Sequence, residues 1–338
     1  MKDNDLIDDY DALSHLDELD QMHGVNNIQP VVEPAKEEVP KKITSLGKAT
    51  SYQDKEELSG AADSPWKLLN LELLPSLGMF YPERIELLVR SATTREIRHW
   101  STMDEYDPIS IDEKINFILN ACTKFKIPGN PFQFTFNDFL LIDRYHILLK
   151  IYELTFPNQE NKLIANIKCN NQECGAVNRV QVLSKNLKGF EIPEDYLKWY
   201  NDAERCFVIP SEKLQEVLKF YLPTIGSNSK LRQRSDFEKK SGSPRDDSFY
   251  EIAPYIIGNW RAADSSSLAD LKRQIESWSI QKFSAVNKFT SDMKQESINR
   301  ALGTCEKCEE HMESHIFLGG SFTVKDIFII SAGFDELI

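Results

Sequence analysis

The sequence predicts an α+β protein: a mixed small β-sheet and a zinc-ribbon-like β module, with a large, mostly helical insertion and a disordered acidic N-terminal arm. Three observations carry this expectation. Two cysteine pairs, Cys169/Cys174 and Cys305/Cys308, stand about 130 residues apart, and β-branched runs lie beside them. Between the pairs, apolar residues recur at helical spacing. The charge is also uneven: residues 1–63 carry 15 Asp and Glu against 6 Lys, so they hold −9 of the net −13.

Residues 1–63 read as an arm that is disordered or becomes ordered on a partner. Gln29 to Lys55 is rich in Pro, Glu and Lys and offers few large apolar side chains for a core. Within the arm, Ile7, Tyr10, Leu13, Leu16 and Leu19 recur every third residue among aspartates. That pattern fits either a solvated tail or a short amphipathic docking helix.

Residues 64–160 read as an α+β domain whose folded body begins near Trp66. Leu71 to Leu74 and Ile85 to Val89 suggest two short strands around a turn containing Pro75, Gly78 and Pro82. Thr93 or Thr94, backed by Glu96, can cap a helix through Trp100. Asp112 is expected to start a second helix, with Ile115, Ile118, Leu119, Cys122 and Phe125 on one face. Cys122 then reads as a small core hydrophobe rather than a nucleophile. Phe139 to Leu154 is apolar enough for a buried helix, in which His146 reads as a satisfied core or groove residue rather than a base.

Residues 161–183 and 299–338 form the expected split β module. Leu163 to Cys169 leads into the first cysteine pair and Val177 to Val182 leads out, with Gly175 available for a positive φ. After the second pair, Ile316 to Leu318 and Val324 to Ile330 suggest strands around Gly319 and Gly320. Residues 184–298 are the insertion. Leu214, Val217, Leu218 and Tyr221 form one apolar stripe; Leu268, Leu271, Ile275, Trp278, Val286 and Phe289 form a longer one with room for a bend. Gly226 to Ser248 is polar and basic through Lys230, Arg232, Arg234, Lys239, Lys240 and Arg245. It reads as a surface loop or as a contact for an acidic surface.

Spacing makes Cys169, Cys174, Cys305 and Cys308 the candidate metal ligands, with structural Zn2+ as the expected ion. Each pair can present two thiolates to one tetrahedral ion, and four sulfurs leave no position for water or substrate. A disulfide or redox pair, or no joint site, are the alternatives. A local site of Cys305, Cys308, His311 and His315 is another, although the gap between Cys308 and His311 is short for a finger. A reducing cytoplasm is the expected setting, since the acidic N-terminus does not read as a signal peptide. No apolar run reaches the roughly 20 residues needed to span a bilayer. The phosphate-loop, dinucleotide, nucleophile-elbow and zinc-protease signatures are absent. Net negative charge and acidic knuckle flanks disfavour nucleic acid.

Leu74, Pro75, Ser76, Gly78 and Tyr81, the run Ile85 to Arg90, Thr93 to Glu96, and a helix reaching Cys122 together resemble the N-terminal signature of baseplate hub and hub-assembly proteins of T-even-like contractile-tailed bacteriophages. The likeness covers about residues 70–180 and extends weakly to the C-terminus. It implies a non-enzymatic tail protein with a cysteine-paired zinc ribbon and no catalytic residues or small-molecule substrate. Its partners would be other baseplate, hub or tape-measure proteins, met in the host cytoplasm during assembly or in the virion baseplate. The long arm, the C-x4-C first pair and the wide insertion depart from the simple pattern. A cytoplasmic zinc-ribbon regulator of transcription or nucleic-acid processing is the alternative.

Overall fold

The first body of the fold combines a four-stranded antiparallel sheet with three helices packed in series against one another. In the computed structural model its strands are β1 (Leu58–Ser59), β2 (Lys67–Leu69), β3 (Glu86–Val89) and β4 (Thr123–Lys126), paired in that order. The structure describes residues 58–59, 64–127, 134–157, 163–188, 192–211, 213–296, 300–315 and 323–328, all within the unit Lys55–Ile338. The apolar stripe at Ile7 to Leu19 therefore lies outside the described residues. The last part of the expected arm does contribute β1, so the body begins before Trp66. Only Glu86–Val89 of the two expected strands is extended in full; Leu71–Leu73 forms a 3-10 turn, where Asn70 accepts the Glu72 N–H.

Helix α1 (Thr94–Ser101) starts as its sequence requires: the Glu96 carboxylate accepts the Thr93 N–H at 2.6 Å. Arg90 grips the same carboxylate through both terminal nitrogens, at 3.0 and 2.6 Å, and holds its pKa down to about 2. Helix α2 (Pro108–Cys122) begins earlier than Asp112. Asp107 caps it by accepting from Ile109 and Ser110, and Pro108 occupies the first turn, where no donor is needed. This frees Asp112 to bind Arg144, at 2.6 Å, and Arg232. Helix α3 (Arg144–Thr155) is buried along nearly its whole length.

The turn containing Pro75, Gly78 and Pro82 is tied to Asp143, at the start of α3. Asp143, fully buried, accepts the Ser76 N–H at 2.9 Å, the Ser76 hydroxyl at 2.7 Å and the Tyr81 hydroxyl at 2.7 Å. Gly78 sits at φ +72°, and a Cβ there would press against Leu71 at 3.1 Å. Ser76 and Tyr81 thus anchor one buried carboxylate, and the Gly78 N–H donates to the Ser76 hydroxyl at 3.3 Å.

The remaining strands are β5 (Ile164–Lys168), β6 (Val177–Gln181), β7 (Leu187–Lys188), β8 (Tyr200–Asn201), β9 (Cys206–Ser211), β10 (Glu216–Phe220), β11 (Arg300–Thr304) and β12 (His311–His315). They form three small antiparallel sheets: β5–β6, β10–β9–β8 and β12–β11–β7. The further helices are α4 (Glu194–Leu197), α5 (Ile225–Lys240), α6 (Asp247–Ile252), α7 (Ser265–Glu276) and α8 (Ile280–Glu296). The α+β class is what the structure has.

Three local expectations change. Val217 and Leu218 belong to strand β10 rather than a helical stripe, with Leu218 and Phe220 inward and Val217 outward. The polar stretch from Gly226 is helix α5 as far as Lys240, not a loop. Val324–Phe328 is a 3-10 turn rather than a strand; Ile316 to Leu318, Gly319 and Gly320 lie outside the described residues. The bend in the long stripe is present at Ser277 to Ser279, between α7 and α8.

Aromatic packing and ion pairs join the segments. Phe220 stacks on Phe289 of α8 at 4.0 Å, and Phe207 meets Phe80 of the N-terminal body at 5.4 Å. Asp138 accepts from Trp260 Nε1 at 2.8 Å and from Arg261 at 2.6 Å. The turn Val324–Phe328 returns to α1, where Trp100 Nε1 donates to the Lys325 carbonyl at 2.8 Å.

Candidate metal centre

Two β-hairpins carry the two cysteine pairs, and each turn is closed in the same way. In the first, the Cys169 N–H donates to the Ala176 carbonyl at 2.8 Å; in the second, the Cys305 N–H donates to the Glu310 carbonyl at 2.9 Å. The residue after the second cysteine is left-handed in both: Gly175 at φ +55° and Glu309 at φ +60°. The longer first turn is stitched internally by the N–H groups of Cys174 and Gly175, both 3.1 Å from the Asn171 carbonyl.

The hairpins meet face to face. A Cβ on Gly303 of β11 would lie 2.7 Å from Val180 Cγ2 of β6, so glycine sets the approach of the two sheets. Asn186 adds a polar link, donating to the carbonyls of Gln181 at 2.7 Å and Leu302 at 3.3 Å. Strand β7, the first residues of the insertion, pairs with β11, its return: Leu187 faces Ala301 and Lys188 faces Arg300.

This arrangement brings Cys169, Cys174, Cys305 and Cys308 together, with all four sulfurs within 4.8 Å of one another. Cys169 lies 3.5 Å from Cys308, and Cys174 lies 3.7 Å from Cys305. Around an ion with metal–sulfur bonds of 2.3 Å, a regular tetrahedron has sulfur–sulfur edges of about 3.8 Å. A disulfide would need about 2.0 Å. The four thiols are free, and their spacing fits a single metal ion.

The sulfurs are not equivalent. Cys305 is 1% exposed, whereas Cys308 is exposed. The backbone N–H groups of Cys308 and Lys307 point at the Cys305 sulfur and, with Asn178, hold its pKa down to about 6. Burial pushes the Cys169 thiol up.

Asn178, 6% exposed on β6, reaches across to the second turn. Its Oδ1 accepts the Glu306 N–H at 2.9 Å and its Nδ2 lies 3.5 Å from Cys305 Sγ. Nothing in the sequence marks this residue, because Cys305 and Glu306 lie 127 and 128 positions away.

His311 is exposed on β12 opposite Thr304, and the metal-holding group found among the described residues consists of the four cysteines. Cys122 is fully buried, and its pKa is pushed up to about 12, as expected of a core thiol. His146 is buried with its pKa pushed down to about 4; unlike the satisfied histidine expected, its Nε2 has no partner among the described residues. Of the basic side chains after Gly226, Arg232, Arg234 and Arg245 pair with Asp112, Glu238 and Asp247. Among the described residues no helix is long and apolar enough to cross a membrane. Comparisons with family models, curated proteins and solved structures return no match.

Proposed function

We propose that this chain is a structural or assembly protein of a contractile phage tail, acting in the baseplate hub through protein contacts, with one structural zinc ion. The observation that carries the structural role is the closed set of four sulfurs. Soft thiolates at tetrahedral spacing suit Zn2+, and they leave no coordination position for a substrate. When bound, the ion supplies cross-linking rather than reaction chemistry. The chain's own residues position it: the two hairpin turns aim the sulfurs, and Gly303 lets the sheets close.

The hub assignment rests on the resemblance carried by residues 70–180. Of the signature residues, Ser76 and Tyr81 hydrogen-bond the buried Asp143, and Gly78 takes the positive φ of the same turn. Contacts with partners are consistent with large apolar side chains on the surface, notably Tyr106 at 89% and Ile280 at 83% exposure.

Cross-linking mass spectrometry on baseplates and assembly intermediates, isolated from cells infected by a phage carrying this gene, tests the reading. Cross-links to hub or tape-measure subunits are expected. Presence in intermediates but not in virions identifies an assembly factor. Cross-links confined to nucleic acid or transcription proteins would overturn the proposal.

A further inference from the structure

The geometry points to Asn178 as the positioning residue that fixes the Cys305 sulfur in place through a side-chain donor and governs how firmly the centre retains its ion. This inference rests on the four-sulfur metal reading and concerns a side chain outside the ligand set.

The orientation of the amide follows from its neighbours. The Glu306 backbone N–H can only donate, so the atom 2.9 Å from it must be Oδ1. That places Nδ2, with two hydrogens, toward Cys305 Sγ at 3.5 Å, Met312 Sδ at 3.1 Å and the Ala176 carbonyl at 3.3 Å. Each of the three is an acceptor, so the buried amide has a use for both of its protons. A flipped amide would set its oxygen against two sulfurs and its N–H against the Glu306 N–H.

The same side chain therefore performs two separable tasks. Its oxygen fixes the start of the second turn, since Glu306 directly follows Cys305. Its nitrogen donates to the sulfur itself. A donor aimed at a metal-bound thiolate disperses its charge and lowers its reactivity toward a competing chelator. Cys305 is the sulfur to which the fold gives this side-chain donor while keeping it 1% exposed. Cys308 is the exposed sulfur of the four, and there a chelator arrives. Retention of the ion then depends on Cys305 staying bound while the outer sulfurs exchange.

Asn178→Asp separates the two tasks. The carboxylate keeps an oxygen for the Glu306 N–H but removes the donor to sulfur. Asn178→Ala removes both contacts, and circular dichroism of each variant establishes that it is folded. The probes are Zn2+ and Co2+ added to the full chain. The zinc readout is the rate of transfer to a chromogenic chelator; the cobalt readout is the sulfur-to-metal charge-transfer band. Zinc should be lost roughly 10–100-fold faster from Asn178→Asp than from the parent protein, the range usual for outer partners of metal ligands. Its cobalt band should shift to lower energy, a change that support of the turn alone would not produce. If Asn178→Asp matches the parent in both readouts while Asn178→Ala does not, the residue acts only through Glu306 and the inference fails. A parent protein that takes up neither ion overturns the metal reading and this inference together.

Discussion

Replacing Asp143 by asparagine should remove a specific slope from the dependence of stability on pH. In the parent protein this carboxyl is fully buried, and burial pushes its pKa from 3.8 up to about 6 despite hydrogen bonds from Ser76 and Tyr81 that favour the charged form. A group raised in the folded state contributes stability that is complete below its unfolded pKa and lost as pH rises through the folded value. At about 1.4 kcal/mol per pH unit, the displacement from 3.8 to about 6 corresponds to about 3 kcal/mol in full, most of it lost between pH 4 and pH 7. Asparagine keeps an oxygen for the Ser76 N–H and offers an amide to the two hydroxyls, but it does not titrate. Other groups act in overlapping windows with the opposite sign. His146, pushed from 6.5 down to about 4 by burial, contributes stability that is lost as pH falls from about 6.5 toward 4. Glu96, held at about 2 chiefly by Arg90, contributes stability lost below about pH 4.5. The measurement is therefore a difference: urea unfolding of the parent and Asp143→Asn at matched pH values from 4 to 7. The stability of the parent relative to the variant should fall by up to about 3 kcal/mol across that range. Parallel curves would refute the argument.

Cys305→Ser should abolish stoichiometric zinc in metal analysis of the purified protein and cost several kcal/mol in chemical unfolding, because metal binding is coupled to closing the module. A variant that keeps one zinc per chain would contradict the ligand assignment. Gly303→Ala should destabilise by about 1–3 kcal/mol, since the new Cβ meets Val180 at 2.7 Å, and adding Val180→Ala should recover part of the loss in a double-mutant cycle. Glu309→Gly should stabilise by up to about 1 kcal/mol in thermal unfolding, because Glu309 occupies a left-handed conformation at φ +60° that glycine adopts freely.

The elements that the sequence made legible are those whose causes are local. The knuckle hairpins follow from cysteine spacing and short alternating runs, and the start of α1 follows from Thr93 and Glu96, three residues apart. Strand β10 was hidden because Leu214, Val217, Leu218 and Tyr221 are spaced as on a helix. The deciding signal was the alternation of buried Leu218 and Phe220 with outward Val217 and Lys219. Helix α5 was hidden for a different reason. It buries Gly226, Ser227, Ser235 and Glu238 alongside Ile225 and Leu231, so small residues and an ion-paired carboxylate supply most of its inward face. Hydrophobic periodicity cannot report such a face. Asn178 belongs to a third kind, since an asparagine in a strand carries no mark of a sulfur 127 residues away.

The pairing of β7 with β11 has a consequence for when this molecule can be made whole. The ribosome releases Cys174 about 131 residues before Cys305, an interval of roughly 7–26 seconds at 5–20 residues per second. Throughout it the first hairpin has two sulfurs and no counterpart, and Leu187 and Lys188 have no strand to join. Helices α5 to α8 can meanwhile pack against the N-terminal body through Asp138, Trp260 and Arg261, which do not wait for the metal. Translation thus imposes an order: most of the body and the insertion first, then the four-cysteine seam, and last the turn Val324–Phe328 that closes on α1. A nascent chain arrested before Arg300 should fold most of its mass and still have no centre for the ion.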